Sequence, residues 1–208
     1  MDKPTTIYLV RHGETEWNHK EVLQGQLDSP LTEKGLHQAH VIAEQFEHIA
    51  FDAIYSSDIG RAKTTAEIIA QYHHMEVHTS DLIRERFFGK FQGMNKTEVD
   101  RILKPQTEIA KELPKEERMN FRLGGDIETE AEMIARFYRF FQKIYSQYPE
   151  KTLLTVCHGA LMRAFLSHLE IARPSQLGFH SIDNLGYLVI ETDGNEVVLL
   201  KARGLHLA

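Results

Sequence analysis

The chain has 208 residues, 42% of them hydrophobic and 26% charged, enough for one α/β domain with a sizeable core or for one domain carrying a subdomain. Its formal net charge of -6 gives no basis for general nucleic-acid or membrane-surface binding, so an anionic ligand needs a local cationic pocket. Cys157 is the only cysteine, which excludes an intrachain disulfide and fits a reducing compartment, and no apolar run approaches the ~20 residues of a membrane span.

Met1-Asp2-Lys3-Pro4 shows no signal-peptide pattern, so a cytoplasmic protein is expected. Thr5 to Val10 reads as a strand buried on both faces, ending in Arg11-His12-Gly13. A polar loop runs from Glu14 to Pro30. Thr32 is then a predicted N-cap for a helix facing the core with Leu36, Ala39, Ala43 and Phe46. Ala53 to Ser56 is a second strand, and Asp58 a predicted N-cap for a helix carrying Ala62, Ala66 and Ile69. Glu76 to Thr79 is a short third strand.

From about Arg84 to Gly125 the chain is charged and punctuated by Gly89, Gly93, Pro105 and Pro114. Loops with one or two short helices over the sheet edge are expected there. Apolar residues from Ile127 to Tyr148 follow helical spacing and predict one long amphipathic helix, its aromatic stripe packed in the core or against a second copy in a homodimer. Thr152 to Cys157 is another buried strand, ending in His158-Gly159 and followed by a helix to about Leu169. Leu185–Ile190 and Val197–Leu200 close the chain as a hairpin turned at Asp193-Gly194. Alternating strands and helices predict a three-layer α/β/α fold: a mostly parallel sheet, an antiparallel carboxyl-terminal end and a helical and loop cap over roughly 84–130.

Parallel strands present their carboxyl ends on one edge, where open α/β sheets bind ligands. His12 and His158, far apart in sequence, therefore meet at one edge. Gly13 permits a sharp turn and close ligand approach. Arg61, in the first turn of its helix, brings a guanidinium and free backbone N–H groups to an anion. Arg11, Arg61 and two imidazoles suit a phosphoryl group. Taken singly, each has a plainer reading. Arg61 can be an ion-pair partner of Asp58, His158 a core histidine, and Glu85 an ion-pair partner of Arg84 or Arg86 on a solvated loop. His37 with His40, and His73-His74 with His78, lack accompanying carboxylates or cysteines and read as solvated surface.

Four ordered stretches carry a resemblance. Arg11-His12-Gly13-Glu14-Thr15 with Asn18, then Gly25 and Asp28-Ser29-Pro30-Leu31-Thr32 with Gly35, resemble the opening signature of the histidine phosphatase superfamily, which includes the phosphoglycerate mutases. Ser56-Ser57-Asp58-Ile59-Gly60-Arg61-Ala62, Leu82-Ile83-Arg84-Glu85 with Phe88-Gly89 and Gly93, and His158-Gly159 with Arg163 continue it. The resemblance implies a single phosphoglycerate mutase-like domain over 1–208. It makes His12 the phosphorylated nucleophile, completes the phosphate pocket with Arg11, Arg61 and His158, and makes Glu85 the proton donor. Asn18, Gln24, Gly25 and Gly159 are the further substrate contacts it suggests, and Glu14 is expected to orient arginine or histidine side chains. It implies no metal and calls for no cofactor. Relatives often carry Gly-Glu-Ser before the long helix, where Gly124-Gly125-Asp126-Ile127-Glu128 stands here, and Ser or Thr in place of Cys157.

Phosphoryl transfer through His12 needs one ring nitrogen free to attack and the other protonated, while cations stabilise the charge spread over the equatorial oxygens. His158 is expected as a charged wall of that pocket. The mutases of this family carry longer insertions between the acid and the second histidine; beside them, the interval of 73 residues from Glu85 to His158 and the little chain after Arg203 make the resemblance imply a phosphatase acting on small phosphorylated metabolites. A cofactor-dependent phosphoglycerate mutase and a catalytically weak phospho-ligand regulatory module are the alternatives. Arg84, Arg86, Lys90, Lys96, Arg118 and Arg122 are the cap cations available to a leaving group, and Phe87, Phe88, Phe91 and Phe121 the candidate apolar mouth.

Overall fold

The computed structural model describes residues 3–208, so the first two residues of the amino-terminal stretch considered above lie outside it. Its strands are β1 (Thr5–Arg11), β2 (Ala53–Ser57), β3 (Val77–Ser80), β4 (Thr152–Cys157), β5 (Ile182–Thr192) and β6 (Val197–Leu205). They form one sheet in the order β3-β2-β4-β1-β5-β6. The first four are parallel, while β5 runs antiparallel to both β1 and β6. The register pairs Arg11 with Cys157, so the residues after each, His12 and His158, emerge side by side.

Alternation along β1 and β4 splits the core. Ile7, Leu9, Leu153 and Cys157 pack on one face with the aromatic stripe of helix α6 (Glu130–Gln147) and the apolar side of α7 (Gly159–His168). Val10, Leu154 and Val156 pack on the other face with α2 (Glu33–Phe46) and α3 (Gly60–His73). The three layers follow because neither face of a parallel sheet can be left to water. Phe137, Phe140, Phe141 and Ile144 are fully buried within the subunit, which assigns the stripe to the core. A third cluster of Leu23, Phe91, Val99, Leu103 and Ile127 underlies the cap.

Several expectations are corrected. The loop after β1 contains a one-turn helix, α1 (Glu16–His19), closed by a capping box between Thr15 and Asn18. Leu36 is exposed, and Gly35 and Ile42 join the buried face of α2 instead. Asp58 does not cap α3. Ile59 takes the N-cap position, while the Asp58 carboxylate accepts from Arg84 Nε at 2.7 Å. The cap is more helical than its glycines and prolines suggest, for α4 (Lys96–Glu112) runs through Pro105. Asn95 Oδ1 caps its first turn and Val99, Leu103 and Ala110 are buried along it. That packing outweighs the one backbone hydrogen bond and the steric cost of an interior proline. The short α5 (Lys115–Asn120) follows Pro114. Helix α6 starts three residues after Ile127, where Thr129 and Glu132 form a second capping box.

Candidate active site

His12 leaves β1 and turns back on itself. Its Nδ1 lies 2.7 Å from the Gly13 carbonyl oxygen, which places the proton on Nδ1 and a lone pair on Nε2. Arg61 Nε donates to that Nε2 at 3.2 Å. The loop holding this ring is tightly built. Gly13 N donates to Thr65 Oγ1 at 3.1 Å, and Asn184 Nδ2 donates to the His12 carbonyl at 2.9 Å. A Cβ on Gly13 would meet the Gly35 carbonyl oxygen at 2.7 Å, so the absence of a side chain lets β1 close on the start of α2. Burial, reinforced by Arg61 and Arg11, pushes the His12 imidazole well below its ordinary 6.5. It is therefore a neutral ring with an available nucleophilic nitrogen.

Arg61 is 2% exposed. Its Nη1 and Nη2 donate to the Leu27 and Gly25 carbonyls, each at 2.7 Å, and Nη1 lies 3.3 Å from Asp28 Oδ1. Its ion-pair partner is thus Asp28 and not Asp58. The same Asp28 oxygen accepts Arg61 N at 3.1 Å, so, contrary to expectation, the first-turn N–H groups of α3 are not all free for an anion. Arg11 donates from Nη1 to the Ile182 carbonyl, and its Nε is buried with no partner among the described residues. Burial and the neighbouring Arg163 lower Arg11 to about 10. It remains a cation at neutral pH.

His158 ends β4 as the N-cap residue of α7, its ring centroid 5.3 Å from that of His12. Both of its ring nitrogens are buried and unpartnered among the described residues. Burial first, then Arg61, His12 and other cations, push it well below 6.5. The expected charged wall is therefore a neutral imidazole in this arrangement, because three guanidinium groups already crowd the pocket. Gly159 follows, and a Cβ there would sit 3.1 Å from Arg11 Nε and 3.2 Å from Arg163 Nη1.

Glu85 is 9% exposed and pairs with neither Arg84 nor Arg86 through their guanidinium groups. Its carboxylate accepts Ala160 N at 3.0 Å and Leu161 N at 3.1 Å, the free donors at the start of α7, and Arg86 N at 2.8 Å. The start of α7 thus meets an acidic group, Glu85, as the start of α3 meets Asp28. The Glu85 backbone is held by Arg136 of α6, whose Nη2 donates to the Glu85 carbonyl at 3.1 Å and Nη1 to the Leu82 carbonyl at 2.9 Å. Arg136 is itself paired with Glu128, Nε to Oε1 at 2.7 Å, and Glu128 Oε2 accepts Phe87 N at 3.1 Å. The loop departing from Gly-Glu-Ser therefore serves to anchor the Glu85 segment through Glu128.

Arg11, His12, Asn18, Gln24, Gly25, Arg61, Glu85 and Gly159 line one pocket of about 40 Å³. Val22, Leu23, Phe88, Lys96, Ala160, Arg163 and Phe179 complete it. Glu14 is not among them. It orients no arginine or histidine and accepts instead from Lys34 Nζ and Thr32 Oγ1. Of the proposed cap cations only Lys96 reaches this pocket. Arg84 pairs with Asp58, Arg118 with Glu130 and Arg122 with Glu132. Of the four phenylalanines only Phe88 lines it. Phe91 is core. Sequence reading missed Arg136, Phe179 and Asn184 as parts of the site, since no local pattern distinguishes them. Arg163 and Lys96 carried a signal in the recurring motifs and the cap charge. Burial pushes the Cys157 thiol up, so it is an inert core residue. His40 Nδ1 lies 3.2 Å from the Tyr72 hydroxyl and His73 packs edge-on against Phe51. No group of three or more metal-ligating side chains occurs among the described residues.

Residues 7–203 match the family model of the histidine phosphatase superfamily, branch 1. The chain belongs to this family. It is 35% identical over 170 residues to the uncharacterized phosphatase PhoE of Bacillus subtilis, covering 82% of this chain and 80% of that protein. It is 31% identical over 195 residues to phosphoserine phosphatase 1 of Hydrogenobacter thermophilus, covering 94% and 90%. Among solved structures, Entamoeba histolytica phosphoserine phosphatase in complex with 3-phosphoglyceric acid superposes with a TM-score of 0.78 at 28% identity, covering 96% of each chain. The mixed six-stranded sheet flanked by helices matches the phosphoglycerate mutase-like fold of these relatives.

Proposed function

We propose that the chain is a phosphomonoester hydrolase that works through a phosphohistidine at His12 on small phosphorylated metabolites. The observation that carries this reading is the His12 ring: Nδ1 tied to the Gly13 carbonyl and Nε2 facing a pocket of guanidinium groups. As an ester enters, the N–H of Arg61 Nε passes from the His12 lone pair to a phosphoryl oxygen. Nε2 then bonds to phosphorus as the ester P–O bond breaks, and Glu85, which enters the substrate complex as the carboxylic acid, gives the departing oxygen its proton and is left as the carboxylate. Arg11 and Arg61 stabilise the charge on the equatorial oxygens, with His158 as a further donor. In the second half-reaction Glu85 takes a proton from water. The hydroxide attacks phosphorus, and the P–N bonding pair returns to His12, releasing inorganic phosphate. Asn18, Gln24, Gly25 and Gly159 shape the same pocket. General acid–base help of this kind contributes about 10²–10⁴-fold.

The same reading covers the remaining properties of the chain. It is one domain whose cap, roughly residues 84–130, faces the leaving group. It needs no metal or cofactor, acts in the cytoplasm as a monomer or homodimer, and has no nucleic-acid or membrane partner. Among the described residues no helix is long and apolar enough to cross a membrane. The test is phosphate release from p-nitrophenyl phosphate by wild type and His12→Ala, with a phosphoglycerate mutase assay alongside. Release by wild type alone is the expected result. Full activity in His12→Ala removes the nucleophile assignment, and interconversion of phosphoglycerates faster than phosphate release makes the chain a mutase.

A further inference from the structure

Two peptide units flank Gly13, and side chains from other elements grip both. In the unit from His12 to Gly13 the carbonyl accepts Asn184 Nδ2 at 2.9 Å, and the N–H donates to Thr65 Oγ1 at 3.1 Å. In the unit from Gly13 to Glu14 the carbonyl accepts the His12 ring proton, Nδ1 lying at 2.7 Å, and the N–H donates to Gln38 Oε1 at 3.1 Å. No step of the mechanism above uses Gln38. A half-buried glutamine on a helix such as α2 ordinarily turns its amide to water. This one meets the turn because Gly35, three residues earlier on the same side of the helix, lets the turn come close: a Cβ there would lie 2.0 Å from the Glu14 carbonyl oxygen.

The 13–14 unit needs such a hold. Glycine leaves its own dihedral angles loose, so nothing in Gly13 itself aims its carbonyl at the His12 ring. Gln38 grips the opposite edge of the same planar unit and so fixes the rotation of that plane. Hydrogen bonds to the two ends of one amide also strengthen each other. Thr32 N donates to the Glu14 carbonyl at 2.9 Å, which keeps the path of the chain but acts on the next peptide unit. Before substrate enters, Arg61 Nε also sets the tautomer, because it donates to His12 Nε2 at 3.2 Å. That constraint ends once Arg61 turns to the phosphoryl oxygens. An anionic oxygen beside Nε2 then draws a proton to that nitrogen, and a neutral ring protonated there has no lone pair facing phosphorus. The Gly13 carbonyl opposes the transfer, since in the wrong tautomer the Nδ1 lone pair would point at its oxygen.

We propose that Gln38 is a positioning residue for the nucleophile: by accepting the Glu14 N–H it aims the Gly13 carbonyl that keeps the His12 ring proton on Nδ1 while a phosphoryl group occupies the pocket. The proposal rests on the phosphatase reading of His12 and adds the side chain that keeps its attacking nitrogen free.

The experiment compares the full-length wild type with Gln38→Met and Gln38→Ala, which cannot accept the Glu14 N–H, and Gln38→Glu, which keeps an acceptor oxygen at the same length. Gln38 belongs to none of the three apolar clusters and faces a hollow beside His37 and Gln45, so each chain is expected to fold, and the alanine variant guards against a packing effect of the methionine. For p-nitrophenyl phosphate, kcat should fall about three- to tenfold in Gln38→Met and Gln38→Ala, the weight of one neutral hydrogen bond, with KM within about twofold of wild type. Gln38→Glu should restore kcat. The second readout is the ¹⁵N spectrum of the histidine ring nitrogens with saturating inorganic phosphate, the His12 signals assigned by their loss in His12→Ala. Wild type and Gln38→Glu should hold the proton on Nδ1, whereas Gln38→Met and Gln38→Ala should show a share on Nε2. Wild-type kcat in both acceptor-less variants, failure of Gln38→Glu to restore it, or a His12 tautomer that is the same in all four proteins overturns the proposal and leaves the phosphatase reading intact. Absence of phosphate release by wild type overturns that reading instead, and the ring spectra still decide whether Gln38 sets the tautomer.

Discussion

Replacing Arg136 by Met should damage the enzyme in two separable ways. Arg136 is 9% exposed and makes four hydrogen bonds, two to Glu128 and two to the carbonyls of Leu82 and Glu85. The Glu128 side chain is only 12% exposed. Met fills the space of the Arg136 stem but leaves that carboxylate as an unpaired, mostly buried charge. Removing one member of such a pair costs about 3–5 kcal/mol, and in a chain of this size about 2–4 °C of Tm for each kcal/mol. The thermal midpoint is therefore expected to fall by roughly 6–20 °C. A second change, Glu128→Gln, removes the stranded charge and should recover more than half of that loss. The catalytic damage has a different signature. The Glu85 carboxylate keeps its N–H donors from α7, but its backbone loses one of its tethers, so proton delivery becomes imprecise. Esters with a poor leaving group depend on that proton; p-nitrophenyl phosphate does not. We expect kcat for an alkyl phosphate to drop about 10²-fold, within the range general acid catalysis supplies, and that for p-nitrophenyl phosphate to change by less than about threefold. The assays are thermal unfolding by circular dichroism and phosphate release at a temperature where every variant is folded. An unchanged Tm refutes the buried-pair argument, and an equal loss on both substrates refutes the positioning argument.

His12 and His158 are held neutral in the fold by burial and neighbouring guanidinium groups, whereas an unfolded histidine binds a proton near pH 6.5. Their contribution to stability is thus complete above pH 6.5 and is lost as pH falls toward their lowered folded values. The slope is about 1.4 kcal/mol per pH unit per ring; urea titrations from pH 7 to pH 5 should show it, and the slope should lessen in His158→Gln. Gly35→Ala would place its Cβ 2.0 Å from the Glu14 carbonyl oxygen. A backbone shift in the Arg11–Glu14 turn must follow, with about 1–3 kcal/mol of overpacking and lost phosphate release; wild-type activity would contradict the packing argument. Dialysis against a chelator should leave phosphate release unchanged, since Arg11 and Arg61 supply the positive charge of the site, and a restored loss on adding a divalent cation would sink that account.

Much of this was legible in the amino-acid order because its physical causes are local. Strands β1 and β4 announce themselves as short β-branched runs, and Thr32 caps α2 with its own hydroxyl. Asp193-Gly194 turns the last hairpin. His12, Arg61 and His158 sit where strand and helix boundaries must place them, and the recurring motifs selected Glu85 from several nearby acids. Tertiary contacts decided what lacks a local cause. Asp58 is a good N-cap by composition, but Arg84 claims its carboxylate across 26 residues. Pro105 reads as a helix breaker, yet buried Val99 and Leu103 carry α4 through it. Glu14 stands beside the signature histidine and still turns to Lys34 and Thr32. The charge of His158 was equally beyond sequence, because it depends on how many guanidinium groups the fold packs around one ring. Arg136, Asn184 and Phe179 join the site only through long-range packing. The order of residues thus determined the sheet, its flanking helices and the place of the proposed nucleophile, His12. The fold alone determined which charges meet and which are neutralised, because burial and through-space distance set those energies and neither is a property of neighbours in the chain.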